Sequence, residues 1–159
     1  MRKAVFLKIL LVTGMLCMIS CTKENMVESE QLATINDSRL EAQIMTLVNL
    51  HRESLGQPWL NFNDVAYTYA NAHNDYMISK GSISHDNFST RASKISSEAN
   101  AKEVGENVAK DYLSAQDVFN AWIKSPAHKK NIENDFTHTA ISVKENANGN
   151  LYFTQIFFK

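Results

Sequence analysis

Three short clusters hold the side chains that could do chemistry in this chain of 159 residues. They are Ser84-His85, the run from Val104 to Val108 with Glu106 at its centre, and the run from Trp122 to His128. Histidine and glutamate are common general acids and bases, and both bind zinc. Because the three candidates are far apart in sequence, any joint chemistry requires the fold to bring them together.

Glu106 lies in a run that is apolar enough to form a strand. In an extended segment, Glu106 projects to the same face as Val104 and Val108. A carboxylate that is buried without a partner is costly. We therefore expect a paired Glu106, with a histidine as its partner.

His128 follows the signals of a helix start. Ser125 can cap a short helix, Pro126 suits its first position, and His128 then falls in the first turn. The positive end of a helix disfavours imidazolium, which keeps the ring neutral. A neutral His128 can act as a metal ligand or as a base.

Several chemistries remain open for these residues. His85, Glu106 and His128 form a ligand set that suits zinc with an open fourth position, with His85 and His128 as the nitrogen ligands. No H-E-x-x-H pattern supports this on spacing grounds. Ser84 or Ser125 could act as a nucleophile, although a loop residue and a helix cap are the simpler interpretations.

The remaining histidines and the large aromatic residues are better explained by structure. His73 shares an apolar helical stripe with Ala70 and Met77, which indicates a satisfied structural histidine. His51 and His138 are predicted at the surface or at a strand edge. The Asn107 amide is expected to tie a loop together. Packing alone is expected to explain Trp59, Tyr76 and Trp122.

Helices are predicted to carry or flank these clusters. The first begins at Ser38, which forms a capping box with Glu41, and ends at Gly56. The second begins after an Asn63 cap and closes at Gly81. The third begins at the Ser114-x-x-Asp117 box.

Strands are concentrated in the second half of the chain. Apolar and polar residues alternate over 139–144, Asn148-Gly149 supplies a tight turn, and Leu151 to Phe158 is apolar on both faces. A further short strand is predicted from Glu103 to Lys110. Because a sheet that is apolar on both faces is covered on both sides, we predict an α/β fold with α-β-α layers.

The first residues indicate export. Arg2 and Lys3 precede an apolar run from Ile9 to Ile19, the order of a secretory signal peptide over residues 1–20. The run is too short for a membrane-spanning helix, which needs about 20 apolar residues. The run Met18-Ile19-Ser20-Cys21 resembles the lipobox of bacterial lipoproteins, which implies a lipid on Cys21. The residues after it are polar and lack periodicity, which predicts a flexible tether over residues 21–37, including the lipidated cysteine, and one domain over residues 38–159.

Composition narrows the set of partners. Of the 16 basic and 17 acidic residues, three basic and no acidic ones lie in residues 1–20, so the mature chain has a formal charge of −4. That charge argues against nucleic acid as a partner. The other cysteine, Cys17, lies in the predicted signal peptide, so the mature chain has no cysteine with which Cys21 could form an intramolecular disulfide.

The ordered motifs resemble the CAP superfamily, in its bacterial SCP-like branch. They run over roughly residues 40–158: Val48-Asn49-x-x-Arg52, Ala70-x-x-His73-x-x-x-Met77, Ser84-His85, Gly105-Glu106-Asn107-Val108, Trp122-x-x-Ser125-Pro126-x-His128-x-x-Asn131-Ile132, and Tyr152-Phe153-Thr154-Gln155-x-Phe157. The resemblance implies a three-layer α-β-α sandwich with a small, mainly antiparallel sheet.

The resemblance also implies a cleft formed by His85, Glu106 and His128. Many animal and plant members place a second glutamate on the helix that carries Trp122 here, and this chain has Ser125 near that point. Binding of a small apolar molecule, a peptide or an envelope component is the leading hypothesis. Metal-assisted hydrolysis by the same three residues, with zinc as the metal, is the alternative, and a surface scaffold for other proteins is a third. The expected location is extracytoplasmic, on the periplasmic face or at the cell surface.

Overall fold

A computed structural model describes residues 35–159, which form five helices and four strands. The helices are α1 (Ser38–Ser54), α2 (Asp64–Lys80), α3 (Phe88–Ala99), α4 (Ala115–Lys124) and α5 (Pro126–Glu133). The strands are β1 (Asn61–Phe62), β2 (Val104–Lys110), β3 (His138–Glu145) and β4 (Leu151–Phe158). In the sheet, whose order is β1-β3-β4-β2, the β3–β4 and β4–β2 pairs are antiparallel and β1 is parallel to β3.

The sheet is covered by helices on both faces. On one face, residues of α1, α4 and α5 pack with Ile141 and Val143 of β3. On the other face, residues of α2 and α3 pack with Ala140 of β3 and Ile156 of β4. Successive strand residues point to opposite faces, which is why neighbours in β3 belong to different cores. The predicted three-layer α-β-α sandwich with a mainly antiparallel sheet is confirmed.

Side-chain capping is confirmed at two of the four predicted helix caps. The Asn63 side chain accepts a hydrogen bond from the Ala66 N–H, and the Ser114 side chain accepts one from the Asp117 N–H. At α1, however, Asp37 is the cap and accepts from the Leu40 N–H at 2.9 Å, so the predicted Ser38 cap is wrong. Two adjacent residues with capping side chains cannot be told apart without the backbone geometry.

Two elements were not predicted from the sequence. Helix α3 begins after Asn87, whose backbone is left-handed and whose side chain makes no cap hydrogen bond, so its start lacks the usual sequence signal. Strand β1 has two residues and pairs with His138 and Thr139. Tertiary contacts rather than local pattern define both elements.

The aromatic residue Trp59 and the end of the predicted tether also differ from expectation. Trp59 is 53% exposed, so packing alone does not explain it.

Asn36 forms a β-bridge with Lys144, and the Asp37 N–H donates to the Val143 carbonyl at 2.9 Å. These two residues, predicted as part of the tether, therefore pair with the outer edge of β3.

The predicted signal peptide and the predicted lipid site at Cys21 lie outside the described residues. Within residues 35–159, none of the helices has the length and apolar character needed to span a membrane.

Candidate functional site

The Glu106 carboxylate is the centre of the site. Strand β2 directs it toward α2 and α3, where its side chain is only 2% exposed. Arg91 of α3 donates from Nε to Oε2 at 2.9 Å and from Nη2 to Oε1 at 2.8 Å. This two-pronged contact neutralises the buried carboxylate and fixes its orientation.

His85 is attached to the same carboxylate. Its Nδ1 lies 2.8 Å from Oε1 of Glu106. Because an ionised carboxylate can only accept, Nδ1 carries the hydrogen, and Nε2 of the neutral ring is left as an acceptor. The side chain of His85 is 52% exposed, so the site presents a hydrogen-bond acceptor of fixed orientation to the solvent. The predicted pairing of Glu106 with a histidine is confirmed.

His73 is a buried neighbour of the His85–Glu106 pair. Its buried ring donates from Nε2 to the Ser84 carbonyl at 2.7 Å, and the same nitrogen lies 3.7 Å from Oε1 of Glu106. This hydrogen bond fixes the backbone at Ser84, which directly precedes His85. Burial lowers the pKa of His73, the opposing pull of Glu106 being smaller. His73 is thus buried, as its helical stripe predicts, but the predicted satisfaction of its ring is wrong at Nδ1, for which no hydrogen-bond partner is found.

His128 lies in the first turn of α5, as predicted, and is partly buried. Burial lowers the pKa of His128, and the nearby His85 lowers it further. The hydrogen bonds recorded for the Glu106 carboxylate go to Arg91 and His85, and none goes to His128. Ser125 occupies the cap position of α5, but its side chain makes no cap hydrogen bond.

Two asparagines fix α5, and with it His128, against β2. Nδ2 of Asn107 donates to the His128 carbonyl at 3.1 Å, so this amide ties helix α5 to the strand and not, as predicted, a loop. Nδ2 of Asn131 donates to Oδ1 of Asn107 at 2.9 Å and to the Glu106 carbonyl at 3.1 Å. At Gly105, a Cβ atom would lie 3.1 Å from both Oδ1 of Asn131 and the Phe136 ring. Glycine therefore allows the close approach of α5 to this strand.

The geometry does not fit the zinc site considered above. Among residues 35–159, no group of three or more His, Cys, Asp or Glu side chains is arranged to hold a metal ion. Both carboxylate oxygens of Glu106 accept from Arg91, and Nδ1 of His85 donates to Glu106. Nε2 of His85 and the ring of His128 remain, and two nitrogens do not make the three protein ligands of a catalytic zinc site.

Arg91 is the site residue that sequence reasoning missed. It lies four residues before Ile95, and both are buried on α3. A basic residue in register with an apolar one at a spacing of four could have indicated an inward-facing charge. Because no helix is predicted in this region, the spacing of four residues could not be interpreted.

The buried His73 gives a testable dependence of stability on pH. Its folded pKa lies below the ordinary value of 6.5, so the unfolded chain binds more protons just below that pH. The stabilisation is present above the unfolded pKa and is lost as the pH falls toward the folded pKa. We expect urea denaturation to show a larger loss of stability between about pH 7.5 and pH 5.5 for wild type than for His73→Asn. A His138→Asn control should keep the wild-type slope, and equal slopes for wild type and His73→Asn would contradict the assignment.

Comparison with known proteins identifies the family. The family model described as CAP, the cysteine-rich secretory protein family, matches residues 45–157. The uncharacterized protein YkwD of Bacillus subtilis is 29% identical over 127 residues, which are 77% of this chain and 48% of the relative. The uncharacterized membrane protein YlbC of the same organism is 28% identical over 123 residues, 75% of this chain and 34% of the relative. The chain thus spans less than half the length of these curated relatives.

Solved structures support the same fold. An outer surface protein from Borrelia burgdorferi superposes with a TM-score of 0.72 at 20% identity, covering 79% of this chain and 96% of that chain. An extracellular protein containing an SCP domain from Bacillus anthracis superposes with a TM-score of 0.66 at 24% identity, covering 76% of this chain and 40% of that chain. Together with the family model, which spans most of the described residues, these likenesses confirm the resemblance seen in the motifs: the chain belongs to the cysteine-rich secretory protein, or CAP, family.

Proposed function

We propose that this chain is an extracytoplasmic, lipid-anchored binding module whose cleft, formed by His85, Glu106 and His128, accepts a small apolar molecule, a peptide or an envelope component. One observation carries the proposal: the half-exposed His85 is hydrogen-bonded through Nδ1 to the buried carboxylate of Glu106, which also accepts hydrogen bonds from Arg91. Nε2 of His85 is therefore a fixed acceptor at the surface. A ligand that fits the cleft carries an O–H or N–H group for that nitrogen.

The same contacts favour binding over metal-assisted hydrolysis. A hydrolase of that kind would use Glu106 as a base or ligand, but both of its oxygens accept from Arg91. Glu106 acts on the cleft through the orientation of His85.

The proposed location rests on the N-terminal sequence and on the relatives. The charge, apolar run and Cys21 match an exported lipoprotein. The related structures are named an outer surface protein and an extracellular protein. Mass spectrometry of the mature chain tests the anchor: a diacylated N-terminal Cys21 is expected, whereas an unmodified or different N-terminus would remove the anchor and leave the cleft proposal standing.

Binding in the cleft is tested by calorimetry against lipids, peptides and cell-wall fragments. For a ligand bound by wild type, we expect His85→Ala to weaken affinity about tenfold or more, since it removes a hydrogen-bond acceptor and part of the cleft wall. His138→Ala is the matched control, because His138 begins β3 and stacks on Phe158 away from Glu106. Hits that His85→Ala and His128→Ala both bind as well as wild type would count against the cleft.

A further inference from the structure

The segment from Gly81 to Asn87, the His85 loop, joins α2 to α3 and carries His85. It contains no helix or strand, and none of its residues is buried. Because a segment without buried residues gains little from packing, its position must be fixed in another way. The orientation of His85 therefore depends on hydrogen bonds that reach the loop from neighbouring elements.

Two buried side chains hold the backbone of the loop on either side of His85. Nε2 of His73 donates to the Ser84 carbonyl at 2.7 Å, directly before His85. Nη1 of Arg91 donates to the Asp86 carbonyl at 2.7 Å, directly after it. Both donor side chains belong to the interior. The backbone next to His85 is thus anchored from within the domain.

A further contact reaches the loop at the surface, from Tyr76 of α2. The Tyr76 hydroxyl donates to Oδ2 of Asp86 at 2.8 Å. The Tyr76 ring stacks on that of His73 at a centroid distance of 6.0 Å, and Nζ of Lys80 lies 5.6 Å from the Tyr76 centroid. The hydrogen bond to Asp86 raises the pKa of Tyr76, so the hydroxyl remains a donor at neutral pH. This contact goes beyond the packing role that the sequence predicts for Tyr76.

We propose that Tyr76 is a positioning residue for the cleft: through Asp86 it keeps the His85 loop closed on α2, which keeps the His85 ring on Glu106. This role rests on the cleft function proposed above. A loop that is ordered before a ligand arrives spares the complex the cost of ordering it. The hydrogen bond recorded for the Tyr76 hydroxyl goes to Asp86 and not to His85 or Glu106, so its effect on the ring is transmitted by the loop.

Amide hydrogen exchange of the mature chain, without a ligand, tests this role. The Phe88 N–H donates to the His85 carbonyl at 3.1 Å, so it exchanges when the loop opens. We expect Tyr76→Phe, which deletes only the hydroxyl, to accelerate exchange at Phe88 about fivefold, the effect of losing one hydrogen bond. Asp86→Ala should have the same effect. Asp86→Asn should retain the wild-type protection, because its amide oxygen can still accept from Tyr76.

Tyr69→Phe is the matched control. Tyr69 lies two turns before Tyr76 on α2, and its hydroxyl donates to a carboxylate oxygen of Glu98 on α3. Nζ of Lys94 lies 6.0 Å from the Tyr69 ring centroid, much as Lys80 lies over Tyr76. The control therefore removes the same type of contact without touching the His85 loop. Exchange at the amide that reports on the loop should stay as in wild type.

The His85 ring provides the second readout. In Tyr76→Phe, the ¹⁵N resonance of Nδ1 should move toward that of a free neutral imidazole, since the ring leaves Glu106 more often, whereas Asp86→Asn should keep the wild-type position. The proposal is overturned by unchanged exchange at Phe88 in Tyr76→Phe, by an equal increase in Tyr69→Phe, by lost protection in Asp86→Asn, or by an unmoved His85 resonance. Because both readouts are taken without a ligand, their outcome is independent of whether the cleft binds the ligands proposed for it.

Discussion

Replacing Glu106 by alanine is expected to lower the free energy of unfolding by about 3 to 5 kcal/mol. The substitution leaves the guanidinium of Arg91 buried without the carboxylate that neutralises it, and Arg91 is only 9% exposed. It also frees His85 from its hydrogen bond. Chemical denaturation monitored by circular dichroism, with and without the substitution, measures the change.

The double variant Glu106→Leu with Arg91→Leu separates pairing from packing. If the cost arises from the unpaired charge, the double variant should be more stable than Glu106→Ala, because no buried charge remains. Its stability should approach that of wild type while His85 loses its fixed orientation. A double variant as unstable as the sum of the two single changes would contradict the pairing account.

Replacing Arg52 by alanine is expected to cost about 3 kcal/mol or more, since it removes several buried hydrogen bonds at once. The side chain is fully buried at the end of α1, and four carbonyl groups accept from it. Nε donates to Pro58 at 3.0 Å, Nη1 to Ile132 at 2.8 Å and Asn134 at 2.6 Å, and Nη2 to Phe136 at 3.0 Å. Arg52 thus connects α1 to the segment that joins α5 and β3.

The control for this prediction is Arg39→Ala. The Arg39 side chain is 68% exposed on the same helix, and its removal should change stability by no more than about 0.5 kcal/mol. Arg52→Lys should be intermediate, since an ammonium cannot reproduce the planar fork of a guanidinium. Thermal or urea unfolding of the three variants checks the order, and a cost for Arg52→Ala as small as that for Arg39→Ala would refute the role assigned to Arg52.

Local pattern predicts those elements whose signals are local. The Asn63 and Ser114 caps, the end of α2 at Gly81 and the β3–β4 hairpin each depend on residues close in sequence, and each is confirmed. Helix α3 and strand β1 lack such signals. Asn87 makes no cap hydrogen bond, and the two residues of β1 are a strand only because β3 lies beside them.

The contacts of the site likewise divide into those that local pattern predicts and those that depend on tertiary packing. The alternation around Glu106 places its carboxylate in the interior, and the cost of burial predicts a partner, which His85 provides. The contact with Arg91 depends on the packing of α3 against β2, which no spacing along the chain reveals. At Glu41, the local pattern gives a wrong prediction. Its position suggests a capping box, but its carboxylate instead binds Val143 and Tyr67 on neighbouring elements.

The tautomer of His85 tests the central claim most directly. If Arg91 holds Glu106 and Glu106 holds His85, long-range ¹H–¹⁵N correlation spectra of the neutral ring should show the hydrogen on Nδ1 and an unprotonated Nε2. In Glu106→Leu with Arg91→Leu, the preference should shift toward the Nε2–H form that free imidazole side chains favour. A wild-type His85 with its hydrogen on Nε2 would contradict the account, because the cleft would then present a donor in place of an acceptor.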